Sequence, residues 1–198
     1  MSENASKRYA LSYTAASLRR AETQILAREY QTTPDWTDLR HRSVNEDLLM
    51  IRQESSRQRI TGELIKRLKS LTPAELSTLA STDDARASAA LAWLAICRTY
   101  EFIAAFVVNV VGERWRAGIT TLGEDSYQSF VAEQSLMHGE LLTISEQTSE
   151  RLRSQLFTIM REMEFLLKDG TLLAYQFPSA VLGLICDDDR LLFPTAVV

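Results

Sequence analysis

Residues 83–118, DDARASAALAWLAICRTYEFIAAFVVNVVGERWRAG, decide the fold of this chain. Trp93, Tyr100, Phe102 and Phe106 recur at helical spacing within a run of Ala, Leu, Ile and Val, which reads as the core helix or helix pair of a globular protein. Arg98 and Glu101 interrupt the run, so neither uncharged piece approaches the roughly 20 apolar residues that a bilayer requires. The expectation is core, with no membrane contact.

Working outward, the 198 residues contain only 7 Gly and 4 Pro. So little turn chemistry argues against a many-stranded β fold and for an all-α, compact multi-helix domain. Hydrophobic residues make up 45% of the chain, which excludes a disordered segment. The polar start, Met1 to Asn4, lacks the apolar centre of a signal peptide. Cys97 and Cys186 have no CxxC spacing and are expected as two buried free thiols, which with the polar start points to the cytoplasm.

Capping residues divide the chain into helices. Ser12 or Thr14 is expected to start a first helix reaching Tyr30, with Leu18, Ala21 and Ile25 on its buried side. Thr33-Pro34 opens a second. Asn45 is expected to cap a short helix through Leu48, Leu49 and Ile51, followed by a helix over 55–69. Thr72, Pro73 and Glu75 form a capping box, and Asp83 introduces the apolar run. Past Gly123, helices are expected over 126–137, 140–144 and 149–167, with Thr148 capping the last. Lys168-Asp169-Gly170 then makes a tight turn, 171–177 is extended, and Pro178 starts a brief helix that Asp187-Asp188-Asp189 ends.

Two helices carry the functional reading. On 55–69, Ile60, Leu64 and Leu68 mark the buried side. At 100° per residue Ser55, Gln58, Arg59, Gly62, Lys66 and Lys69 fall opposite, a strip with three cations and no acid. Such donors suit phosphates, and Arg or Gln suits base edges; Gly62 would admit a neighbouring chain closely. With the short helix before it, residues 45–70 have a helix-turn-helix outline. The competing reading is a solvated basic face.

On 149–167, Leu152, Leu156, Ile159, Met163 and Leu166 form the core stripe, and Arg151, Ser154, Gln155, Thr158, Arg161 and Glu162 a polar face. The order from Ser126 to Phe177 is that of a winged helix-turn-helix, with Arg151 and Lys168 expected on DNA. The competing reading there is a protein-docking module. This divides the chain into 1–118 and 119–198, expected to form one compact unit.

The formal charge of −4 counts against nucleic acid, but it is uneven. Residues 1–70 carry 13 Lys/Arg against 9 Asp/Glu, and residues 71–198 carry 9 against 17. Catalysis has no support. His41 and His138 lack ligand spacing, and no phosphate loop, nucleophile elbow or HExxH motif occurs. No enzyme, cofactor or metal is expected.

Four stretches, LSYTAASL (11–18), RQESSRQRI (52–60), WLAICRTYEFI (93–103) and LFTIMREMEFL (156–166), resemble the BrxA family of BREX phage-defence systems. The resemblance runs from about Tyr9 to Pro194. It implies a small helical, non-enzymatic, double-stranded DNA-binding protein with two helix-turn-helix elements. It also implies BREX partners, namely a DNA methyltransferase and ATPases; an inner-membrane label carried by the family conflicts with the broken apolar run. One departure is Met163-Glu164-Phe165, where a smaller residue or glycine is expected in relatives. It implies a long helix that runs on and a rudimentary wing. The alternative role is an adaptor assembling the methyltransferase or ATPases without touching DNA. With no heptad repeat, a monomer is expected.

Overall fold

A computed structural model describes residues 8–197. It is all-α: α1 (Arg20–Thr32), α2 (Trp36–Asn45), α3 (Glu54–Leu68), α4 (Pro73–Ser81), α5 (Ala85–Thr99), α6 (Glu101–Phe106), α7 (Glu113–Arg116), α8 (Glu124–Gln134), α9 (Glu146–Glu162), α10 (Ser179–Leu182) and α11 (Asp187–Arg190). The turn Val107–Gly112 between α6 and α7 is π-helical, so 101–116 run on as one helix. Two short strands, β1 (Tyr175–Gln176) and β2 (Ala196–Val197), pair in parallel.

The apolar run folds as a bent pair. Tyr100 is extended (φ −125°, ψ 91°), and the helices on either side meet at 106°. No single described helix is long and apolar enough to cross a membrane. Trp93, Tyr100, Phe102 and Phe106 are all buried, in one cluster that also takes Leu26, Leu64, Leu79, Leu152 and Leu156. The bend is stapled by polar groups. Tyr100 Oη donates to Glu63 at 2.6 Å, and Arg98 forks onto Glu75 while also holding Asp189 at 2.7 Å. Trp93 Nε1 donates to the Leu192 carbonyl at 2.7 Å, tying the pair to the C-terminal segment.

The first expected helix is not there as read. Ser12–Ala15 form one 3-10 turn, and α1 begins only at Arg20, after Arg19 takes a left-handed φ of 49°. Ala21 and Ile25 are exposed, and Thr23, Leu26 and Ala27 face the core instead. The intervening chain is a strap. Tyr9 Oη donates to Gln134, Tyr13 Oη to the Leu152 carbonyl, and the Leu18 amide to Glu162 at 2.7 Å. From the other side Arg67 of α3, 1% exposed, donates to the Ala16 and Ser17 carbonyls and to Glu63. These bonds satisfy backbone groups that a helix would have satisfied internally, which is why the segment stays extended.

Other boundaries shift for local reasons. Asp35, not Thr33, caps α2, its carboxylate accepting from the Thr37 and Asp38 amides. The expected short helix after Asn45 does not form. Asp47 and Met50 adopt left-handed φ of 51° and 54°, and Asn45 itself ends α2. α3 is therefore preceded by α2 across residues 46–53, a longer connection than the 3–4 residues of a DNA-binding helix-turn-helix. The Thr72–Glu75 capping box is formed. Asp84 caps α5 and Ser145 caps α9, each near the expected position but not at it. The acidic run starts α11 rather than ending a helix, as carboxylates favour a helix N-terminus.

The long α9 does not run on to Leu167. It stops at Glu162, and Glu164 takes φ 60°, the conformation a glycine would adopt more easily. A small hairpin follows, with Leu166 bridged to Leu172 and the Leu167 amide donating to Thr171 at 2.8 Å. Thr121 adds a second antiparallel bridge, to Thr171. Gly170 is required at the turn: φ is 88°, and a Cβ would stand 2.7 Å from the Leu122 carbonyl oxygen.

Candidate nucleic-acid interface

α3 presents the strip as its periodicity dictates. Ile60, Leu64 and Leu68 are buried, while Ser55, Gln58, Arg59, Lys66 and Lys69 are exposed. Arg59 makes no ion pair among the described residues. Lys66 Nζ lies 4.4 Å from the Tyr100 ring centre and donates to its hydroxyl at 3.4 Å, and Lys69 Nζ lies 5.8 Å from the Trp36 ring. Gln58 is engaged by an acid, its amide donating to Glu54 at 3.0 Å. The cations that carboxylates do take up, Arg57 by Asp47 and Arg67 by Glu63, point elsewhere on the helix.

α2 completes the surface, which sequence reasoning missed. Trp36, Thr37 and Arg40 face Gly62, Ile65, Lys66 and Lys69 across a groove of about 330 Å³. Arg40 is exposed and, among the described residues, without a carboxylate partner, as is Arg52 in the loop between the helices. Five cations between residues 40 and 69, Arg40, Arg52, Arg59, Lys66 and Lys69, thus pair with no acid among the described residues. The neighbour at Gly62 is the Arg40 guanidinium rather than backbone, and a Cβ there would stand 3.8 Å from Nη2, an ordinary contact. The spacing Trp36–Arg40, one helical turn, was a readable signal for a shared face; their docking beside Gly62 was not.

α9 is different. Arg151 and Ser154 are exposed, as is Lys168 on the hairpin turn. Thr158 spends its hydroxyl on the Ser154 carbonyl at 2.8 Å. Arg161 is half-buried and lines a separate cleft with Arg86 and Glu164. Arg153 is taken by Glu124 of α8. Exposed Glu146 and Glu150 flank the helix start, where the approach of a phosphate would be opposed.

Both histidines make local contacts. His138 stacks on Tyr9 with ring centres 3.7 Å apart and sits 3.4 Å from Glu140; His41 bonds Asn45. Burial alone would raise the Glu140 carboxyl, but the Tyr9 backbone amide, His138 and Arg8 hold it below the usual glutamate range. Cys97 is buried as expected, with its thiol pushed up by burial. Cys186 is exposed, against expectation, because it caps the surface helix α11, where its thiol donates to Asp189. Among the described residues no group of three or more His, Cys, Asp or Glu is placed to hold a metal ion.

No curated protein matches the chain. A crystal structure of an uncharacterized protein from Magnetospirillum magneticum has a similar fold, with a TM-score of 0.80 at 14% identity. That similarity covers 96% of this chain and 98% of the other. The BrxA family model matches residues 7–185, nearly the whole length and all four motif stretches. The chain therefore belongs to the BrxA family and is a component of a BREX phage-defence system.

Proposed function

We propose that this protein is a non-catalytic, double-stranded DNA-binding component of its BREX system, acting in the cytoplasm as a monomer alongside the methyltransferase and ATPases. One observation carries the reading: Arg40, Lys66 and Lys69, from two packed helices, line one groove whose walls include no acid, and Arg59 is exposed on the same strip of α3. Charges within a Debye length of about 8–10 Å outweigh the net charge of the molecule, so an acidic total does not prevent local contact with a polyanion. Ser55 and Gln58 add neutral donors on the same strip.

The C-terminal half assists in this reading. We read the order of α7, the Thr121 bridge, α8, α9 and the hairpin as a winged helix, in which Arg151, Ser154, Thr158, Arg161 and Lys168 would add backbone contacts. Filter binding of a labelled duplex across a salt series tests the proposal. Log affinity should fall with log salt at about −0.9 per phosphate neutralised. Arg40→Glu with Arg59→Glu should weaken binding more than tenfold while leaving the helical signal intact. Full retention by that folded variant would remove the DNA reading.

A second reading, an adaptor for the other BREX components, is favoured by exposed Leu136, Met137 and Leu142, beside and within the 3-10 turn between α8 and α9. Apolar side chains this exposed within seven residues are the kind of surface a protein partner covers. It would hold if the charge-reversed variant still co-purified with a BREX component.

A further inference from the structure

A cleft of about 650 Å³ opens where α9 ends and the hairpin meets β1; no residue of α3 lines it. Its walls are Arg86, Arg161, Glu164, Leu166, Leu173 and Tyr175. Two polar atoms of these wall residues are buried without a partner among the described residues, Arg161 Nε and Tyr175 Oη. Tyr175 is only 5% exposed, and buried polar atoms rarely go unsatisfied. Both are donors: a guanidinium cannot accept, and burial pushes the Tyr175 phenol above its ordinary range, so it keeps its proton.

Arg86, Glu164 and Tyr175 also line a second, smaller cavity together, which places Tyr175 beside the Arg86–Glu164 ion pair. The pair is 3.1 Å long and both side chains are 63% exposed, so it holds weakly. An oxyanion taking the place of the Glu164 carboxylate would leave Arg86 paired and bring an acceptor to two donors that lack one. Leu166 and Leu173 supply an apolar wall, and the volume is that of a small-molecule site.

We infer that this cleft binds a small molecule carrying an oxyanion, a carboxylate or a phosphate monoester, on an apolar body, held by Arg86, Arg161 and Tyr175. Guanidinium groups fit either anion in a two-point contact. The α2–α3 groove shares no residue with the cleft, so failure of the DNA reading at that groove leaves this inference standing; Arg161 alone is common to both readings.

Calorimetric titration of the full chain tests it with phenyl phosphate and 3-phenylpropionate, against inorganic phosphate and benzyl alcohol as anion-only and apolar-only probes. Binding of either two-part probe at least tenfold tighter than both controls is expected, and whichever binds names the anion. Tyr175→Phe and Arg161→Gln should each weaken that probe at least fivefold. Tyr175→Phe should leave the melting temperature unchanged or higher, because the hydroxyl it removes has no bond to lose. Failure of both probes, inorganic phosphate binding as tightly as phenyl phosphate, or unchanged binding by Tyr175→Phe would each overturn the proposal.

Discussion

The two cationic helices look alike in sequence and differ in place. α3 carries its free cations on one side, faces a second helix that adds Arg40, and keeps Glu63 in a buried network with Arg67, while exposed Glu54 at its start takes up the Gln58 amide. α9 begins among Glu146, Glu150 and Glu124, and one of its arginines turns into another cleft. A count of arginines and lysines along a helix therefore says little about anion binding. What decides is whether carboxylates on neighbouring elements reach them first.

The strap joins the two regions, so breaking it has the largest expected effect. Arg67→Ala would strand Glu63 in the core and free the Ala16 and Ser17 carbonyls, at a cost of about 3–5 kcal/mol in chemical denaturation. A loss under ~1 kcal/mol would mean that the strap is held mainly by Tyr13 and Leu18. The contrast between the helices is sharpened next by charge reversal on α9 and its hairpin. Arg151→Glu with Lys168→Glu should weaken duplex binding only a few-fold, far less than the α2–α3 pair; the opposite ranking would break the comparison.

Acid sensitivity separates the regions as well. Burial alone would raise the Asp189 carboxyl, but its bonds from Arg98 and Cys186 outweigh that and hold it below the ordinary value of about 3.9. A depressed folded pKa gives stability that is present above the unfolded value and lost as pH falls through the folded one. Melting temperature should thus drop on acidification below about pH 4, and Asp189→Asn should flatten that limb. The smallest effect is at Gly62. Gly62→Ala has room for its methyl and should stabilise α3 by roughly 0.5–1 kcal/mol, while a fall in duplex affinity would show that a sugar-phosphate chain rests there.

The motifs that carry the family resemblance prove to be structural. LSYTAASL is the strap, WLAICRTYEF holds the bend through Trp93, Arg98 and Tyr100, and LFTIMREMEFL supplies Leu156, Ile159, Met160 and Phe165 to the core. Of RQESSRQRI, Arg57 bonds Asp47 and Ile60 is buried, leaving Arg52 and Arg59 for solvent. Family membership was legible because these networks demand particular residues. The binding surface was legible only in part, since exposed Arg or Lys can be placed in many ways.

From sequence alone came the all-α class, the core of the apolar run, the capping box at Thr72, the polar side of α3 and the turn at Gly170. Each follows from a local rule, a period of 3.6 residues, a cap or a backbone angle, that needs no knowledge of the rest of the chain. Only the tertiary structure decided the 106° bend at Tyr100, the strap, the partnership of Arg40 with α3 and the cleft around Tyr175. Those depend on which distant side chains meet, and a carboxylate 37 residues away, such as Glu63 on Tyr100, leaves no periodic trace in the sequence.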